Sequence, residues 1–467
     1  MTFQPTTTLA PLAPPSSVCA DGRRCRIAVI GSGISGAGAA YLLAAHHDVV
    51  LFEADARLGG HSNTVDVPKL GGRGDGGAIP VDTGFIVYNT VNYPHLTGLF
   101  DHLGVATERS DMSFAVSLDD GALEYTGSGF SGMFAQRRNL FRPGHWWMLV
   151  ELLHFYRRAG ALGGRDDLAE VSLGDLMTSL GYSKRFRNGH ILPMAAAIWS
   201  TPFEEIMEFP AASFLSFFDN HGLFRLKRRP RWRTVAGGSR EYVRRLNAAF
   251  AGRTRLATPV QAVERRPDGV LVKPLGLPAE RFDHVVIATH ADQALAMLAA
   301  PTEREAALLS AFRYEPNRAV LHRDPGFMPR RARCWASWNY LSYGPNVQGD
   351  SEGKLALTYW MNRLQNLDPA DHIFVTLNPP REPAGMVADI EYTHPQYSRA
   401  TLAAQRRLDE IQGIDRIWYC GAHMGHGFHE DGLKSAVDVA ARFGIAPPWA
   451  AGAHAERPAA PCPEVVA

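Results

Sequence analysis

Long apolar runs, closely spaced C-x-x-C cysteines and an excess of either charge are all missing from this 467-residue chain. No apolar run approaches the roughly 18–20 residues that a membrane-spanning helix needs. The five cysteines (Cys19, Cys25, Cys334, Cys420 and Cys462) are odd in number, widely scattered and without a C-x-x-C. That pattern argues against a disulfide framework and against a zinc or iron–sulfur site, and fits a reducing compartment. A formal net charge of +1 removes any global electrostatic case for nucleic acid. The N-terminus lacks the basic start and long apolar region of a secretory signal. The expectation is a cytoplasmic protein, with the inner face of the membrane as its place if the aromatic and basic stretches below meet lipid.

The chain is organised around Arg26 to Asn63, which reads as strand, glycine turn, helix, strand. Gly31-Ser32-Gly33-Ile34-Ser35-Gly36 is a G-x-G-x-x-G turn between an apolar run and an alanine-rich helix. Gly31 allows the tight turn, Gly33 lets the backbone approach a pyrophosphate, and Gly36 lets the helix pack on the strand. The helix N-terminus offers free N–H groups to the phosphates. Glu53 closes the second apolar run, where an acid accepts hydrogen bonds from a ribose diol. A dinucleotide site follows, and NAD, NADP and FAD all fit this much.

The continuation Ala54-Asp55-Ala56-Arg57-Leu58-Gly59-Gly60-His61 resembles the E-x-x-x-x-x-G-G signature of the FAD-dependent family that includes amine oxidases, protoporphyrinogen oxidases and phytoene desaturases. In that family the Gly-Gly turn runs beside the flavin diphosphate and ring; the usual next residue is Arg, and here it is His61. Further along, Asp82-Thr83-Gly84 matches the family's flavin-proximal D-x-G segment through Thr83 and Gly84. The segment at Val260 matches the one whose backbone pairs with adenine, and Val285 to Ala288 reads as a buried strand returning to the sheet. Near the C-terminus, an apolar strand ending at Gly421-Ala422, a loop, and Glu430-Asp431-Gly432-Leu433-Lys434-Ser435-Ala436 resemble the family's last flavin motif, with a helix starting near Gly432. The resemblance implies FAD as cofactor. It implies a fold of α/β class: a discontinuous Rossmann-type FAD-binding domain with an interleaved α+β substrate domain. The expected division is a disordered leader at 1–25, an FAD-binding domain from 26–92, 234–311 and 410–445, a substrate domain from 93–233 and 312–409, and a disordered tail at 446–467.

The substrate domain carries two unusual stretches. Phe141 to Arg158 places Trp146, Trp147 and Tyr156 between arginines, and Arg225 to Arg233 is dense in basic residues around Trp232. Amphipathic aromatics beside arginines suit a bilayer interface, so peripheral membrane contact is expected, against the plainer readings of a core helix and a solvated basic loop. Segments 335–340 and 355–363 alternate aromatic and polar residues as half-buried strands do, and one face could line an apolar pocket.

His423, His426 and His429 recur every third residue beside Glu430 and Asp431. Three readings compete: a metal site, which the loop-forming Gly425 and Gly427 disfavour; acid–base chemistry at the flavin; and loop histidines satisfied by backbone. The preferred catalytic residues are His426, His429 and Glu430. The loop also resembles a bacterial branch of the family described as NAD/FAD-binding proteins, associated with cyclopropane-fatty-acid-synthase-like methyltransferases and with desaturation of methylated acyl chains towards furan fatty acids. That resemblance implies hydride removal from a fatty-acyl substrate and functional pairing with a lipid methyltransferase. A flavin-dependent double-bond isomerase, an amine oxidase and a non-catalytic flavoprotein lipid carrier are the alternatives.

Overall fold

The computed structural model describes residues 24–70, 77–162, 165, 168, 171–199, 203–220, 222–225, 230–250, 252–344 and 354–452. The expected leader up to residue 23, the tail from 453, the glycine connector 71–76 and the heart of the basic stretch, 226–229, lie outside them.

The first sheet is parallel and built from three distant parts of the chain. Its strands are β1 (Arg26–Ile30), β2 (Asp48–Phe52), β3 (Thr254–Arg255), β4 (His284–Ile287) and β5 (Ile417–Tyr419), in spatial order β3-β2-β1-β4-β5. Register runs Ala28 to Val50 on one side and Ala28 to Val285 on the other, and Val285 continues to Ile417. These strands are apolar on both faces because both are covered, one by helices and the other by the antiparallel strands Val260–Arg266, Gly269–Pro274 and Glu280–Phe282, whose Val263, Val270 and Val272 share a core with Ala28, Ile30, Val50 and Phe52. On one face the glycine-turn helix Ile34–Ala44 packs under the C-terminal helix His429–Arg442. The two approach so closely that a Cβ on Gly38 would stand 2.8 Å from Leu433 Cδ1, and one on Gly432 would stand 2.8 Å from Ile34 Cγ2. Helix Pro94–Leu103 joins the same core through Leu96, Leu99 and Phe100.

The second sheet has seven strands, in order Ala388–Gln396, Arg313–His322, Phe374–Leu377, Lys354–Trp360, Trp338–Tyr343, Phe114–Leu118 and Leu123–Thr126. All its pairings are antiparallel except Trp338–Tyr343 against Phe114–Leu118. The aromatic strands expected at 335–340 and 355–363 fall at Trp338–Tyr343 and Lys354–Trp360, with Trp338 opposite Tyr359, and the second ends where helix Met361–Leu364 begins. A helical layer, including Pro143–Leu162, Leu173–Ser179 and Ala211–Asn220, packs beside this sheet on a core of Met148, Phe155, Phe186, Phe214 and Tyr340. Mixed α/β architecture of this kind is the fold class expected from the motifs.

Two expectations meet a different outcome. The C-terminal helix starts at His429, not near Gly432, because Asp431 accepts from the Phe428 and His426 N–H groups and draws the turn into the helix. Cys25 is disulfide-bonded, although Cys334 and Cys420 are free and buried.

Candidate active site

A cavity of about 900 Å³ runs from the glycine turn of the parallel sheet to the space between the seven-stranded sheet and the helical layer. At its first end lie Gly31, Gly33, Ile34, Ser35, Glu53, Ala54, Arg57 and Val260. Gly31 has φ +100°, and a Cβ there would press on the Ala288 carbonyl at 2.9 Å. At Gly36 a Cβ would fall 1.8 Å from the Gly31 carbonyl oxygen, so this glycine lets the helix fold back on its own turn. Gly33 is different: nothing lies within 4 Å of its Cβ direction. It is also the N-cap of the eleven-residue helix, and no side chain caps that helix. Free N–H donors therefore open onto the cavity with room for a phosphate.

Glu53 sits at the end of β2. Its Oε2 accepts from the Ser32 N–H at 2.9 Å and the Ser32 hydroxyl at 2.5 Å, and its Oε1 accepts from Asp55 N at 2.9 Å. Ser32 Oγ in turn accepts from Gly59 N at 3.1 Å. The glycine turn, the acid and the Gly-Gly turn are thus one hydrogen-bonded unit, with Ser32 as a link that the motif reading had passed over. Gly59 and Gly60 have φ of +105° and +54°, which lets the turn close against Gly33. Gly84 needs its missing Cβ as well, which would fall 2.3 Å from the His61 carbonyl oxygen.

Imidazoles and phenols form the middle of the wall. His61 stacks on Tyr392 at 4.9 Å between centroids and stands 5.6 Å from the His394 ring and 6.1 Å from that of His290. Tyr392 OH hydrogen-bonds Thr83 Oγ1 at 2.8 Å, so Thr83 acts on the cavity through this tyrosine. Burial drives the His61 imidazole well below its ordinary range, helped by its histidine neighbours, and puts His394 at about 4. These rings are neutral at physiological pH. His290, His394 and Tyr392 carry no motif. The one signal available was His290 closing the strand that returns to the sheet.

The expected catalytic trio does not come together. His426 is exposed and off the cavity wall. The Glu430 carboxylate accepts from His95 N at 2.8 Å and Leu96 N at 2.9 Å, capping helix Pro94–Leu103, and burial lifts it to about 7. Of the three only His429 lines the cavity. Its ring stacks on Phe85 at 3.7 Å, and its Nε2 is held by Ser62 Oγ at 2.9 Å and Tyr242 OH at 3.0 Å. Desolvation pushes it down to about 3. Among the cofactor expectations, Gly421 lines the cavity, whereas Asp431, Gly432 and Leu433 stand behind the wall, Leu433 in the core. Among the described residues no group of three or more His, Cys, Asp or Glu is placed to hold a metal.

The far end is apolar, with Met112, Phe114, Met194, Phe217, Leu223 and Trp338 on its wall. Among the described residues no lysine lines the cavity, and the charged ones that do are Glu53, Asp55, Arg57 and Glu391.

The uncapped helix, the open space at Gly33 and the Glu53 carboxylate fit the diphosphate and ribose of FAD. Among solved structures, the chain is similar to a CLA-producing fatty acid isomerase from P. acnes at 17% identity and TM-score 0.63, covering 90% of this chain and 99% of that one. It is similar to a cyclohexylamine oxidase from Brevibacterium oxydans IH-35A at 16% identity and TM-score 0.64, over 90% and 99% of the two chains. No curated protein matches the sequence. A family model, flavin containing amine oxidoreductase, matches residues 32–321, which span the glycine turn, the Gly-Gly turn and the Val260 segment. The chain therefore belongs to the flavin containing amine oxidoreductase family, as an FAD-dependent oxidoreductase.

Proposed function

We propose that this oxidoreductase acts on an unsaturated fatty-acyl chain, removing a hydride and a proton from adjacent positions to leave a new double bond. The observation that carries the reading is the far end of the cavity: among the described residues, Met112, Phe114, Met194, Phe217, Leu223 and Trp338 offer aliphatic and aromatic surface without a charge among them to pair with an ammonium group. Burying methylenes there contributes about 0.8 kcal/mol each, enough to hold a chain without any polar handle.

FAD, when bound, supplies the acceptor for the hydride. The protein supplies position, dryness and a place for the proton. His429 Nε2 is engaged by two hydroxyls and Glu430 by two backbone amides. His394 is free in the sense that matters: it lines the cavity beside His61 and its Nδ1 is buried with no hydrogen-bond partner. In this reading His394 Nδ1 receives the proton. The similarity in fold to a fatty acid isomerase favours the nearest alternative, return of the hydride at another carbon of the same chain.

Anaerobic mixing of holoenzyme with unsaturated fatty acids tests this. The expected result is loss of flavin colour and a product two hydrogens lighter. Isomerised product with colour retained supports the isomerase, and turnover of amines alone sinks the acyl-chain reading. His394→Gln should keep its flavin and slow the step on the order of 10²-fold.

A further inference from the structure

We propose that the helical layer docks on an anionic phospholipid bilayer through the segment from Phe130 to Arg158. Large apolar side chains are normally exposed singly. Here Phe130, Phe141, Trp146, Trp147 and Val150 are 67%, 87%, 42%, 60% and 54% exposed, within one turn-and-helix unit. Helix Pro143–Leu162 explains the concentration. Its inward stripe, Met148, Leu152, Phe155 and Ala159, is buried in the core of the layer. Its outward stripe should then be polar, yet Trp146, Trp147, Val150 and Leu153 occupy it. A helix apolar on both faces has a second apolar environment to meet.

Charge identifies that environment. Between residues 127 and 162 the sequence holds five arginines, Arg137, Arg138, Arg142, Arg157 and Arg158, against a single acid, Glu151. Glu151 is buried and accepts from Ser183 N and Oγ at 2.7 and 2.6 Å, so it does not offset the arginines at the surface. Burial lowers the Arg142 guanidinium, and repulsion from Arg138, Arg185 and Arg331 lowers it further. Exposed tryptophans on a segment with arginines before and after them match the acyl–headgroup boundary of a negatively charged membrane, where the indoles lie in the interface and the guanidinium groups meet phosphates. A second copy of this chain would bring arginines against arginines. Among the described residues no helix is long and apolar enough to cross the bilayer, so the contact is peripheral. The patch lies on the same helical layer whose Met194 and Phe217 line the apolar end of the cavity.

Flotation of the full-length holoprotein with vesicles tests the proposal without any substrate, so its outcome is independent of the acyl-chain reading. Phosphatidylcholine vesicles containing phosphatidylglycerol should carry the protein up the gradient, and pure phosphatidylcholine should carry it weakly. The double variant Phe141→Ser/Trp147→Ser, altered at two exposed positions, should lower the partition coefficient at least tenfold while flavin content and melting temperature hold. Arg157→Glu/Arg158→Glu should lower it by about fivefold per charge in dilute salt and far less in high salt. Absence of flotation with anionic vesicles overturns the proposal, as does unchanged flotation of the serine variant. A dimer by sedimentation velocity that the serine variant dissolves, without vesicle binding, assigns the patch to self-association and overturns it as well.

Discussion

Gly33 and Gly36, three residues apart in sequence, separate the predicted contact with the cofactor from folding. Gly33 has φ −60° and ψ 178°, a conformation any residue adopts, and empty space before its Cβ direction. Gly33→Ala should therefore fold as well as wild type, or slightly better, since alanine restricts the unfolded chain. Its methyl group would occupy the space left for a diphosphate, so FAD affinity should fall at least tenfold. Gly36→Ala is expected to lose both fold and flavin, because backbone atoms at 1.8 Å cannot yield without moving the helix. Flavin absorbance per polypeptide and melting temperature, read together, check the pair, and a flavin-replete Gly33→Ala protein would count against this placing of the diphosphate. These glycines were legible in sequence because spacing along a strand–turn–helix fixes their conformation. His394 and Tyr392 were not, since their place beside His61 comes from a strand more than three hundred residues away.

Among the elements, the loop Gly421–Phe428 and the helix after it show how far a local pattern reaches. The glycines at Gly425 and Gly427 rightly read as loop. Glu430 and Asp431, taken for groups facing the flavin, are the devices that build the helix starts: Asp431 holds His426 N and Phe428 N, and Glu430 holds the first amides of Pro94–Leu103. An acid beside a helix start serves capping and chemistry with one sequence signature, and only the position of its partners tells them apart. Asp431→Ala should cost about 1–2 kcal/mol of stability, as lost caps do. It also loosens the loop carrying Gly421 and His423, which Gln405 through the His423 and Gly425 carbonyls and Ser435 Oγ through Gly421 N would still tie. Faster FAD dissociation together with a lower melting temperature is the expected outcome in stopped-flow and thermal scans. A stability loss with unchanged FAD dissociation would separate the loop from the cofactor.

Over the whole molecule, the motifs bracketing both chain ends anticipated a sheet assembled from distant strands, which the order β3-β2-β1-β4-β5 realises. What no motif announces is how many imidazoles the assembled core encloses. His284, His322 and His423 are almost fully buried and are pushed down to about 4, 4 and 3 by desolvation. His322 shows why: its Nδ1 accepts the Asp324 N–H at 3.0 Å and cannot carry a proton without losing that bond. A base whose folded pKa lies below its unfolded value of about 6.5 contributes stability above that value and loses it as pH falls towards the folded pKa. Each of the three should therefore withdraw about 2 kcal/mol between pH 7 and pH 5. Two acids work in the opposite direction. Burial raises Asp82 to about 6 and Glu430 to about 7, so their protonated forms are favoured in the fold, and their contribution is present at low pH and lost as pH rises through those values. Together they return about 3–4 kcal/mol over the same interval. The histidines prevail, and urea titrations should find the protein less stable at pH 5 than at pH 7 by about 2 kcal/mol or more. Glu430→Gln removes part of the opposing contribution and should steepen that loss. Greater stability of the wild-type protein at pH 5 would mean that the buried histidines are already satisfied as cations.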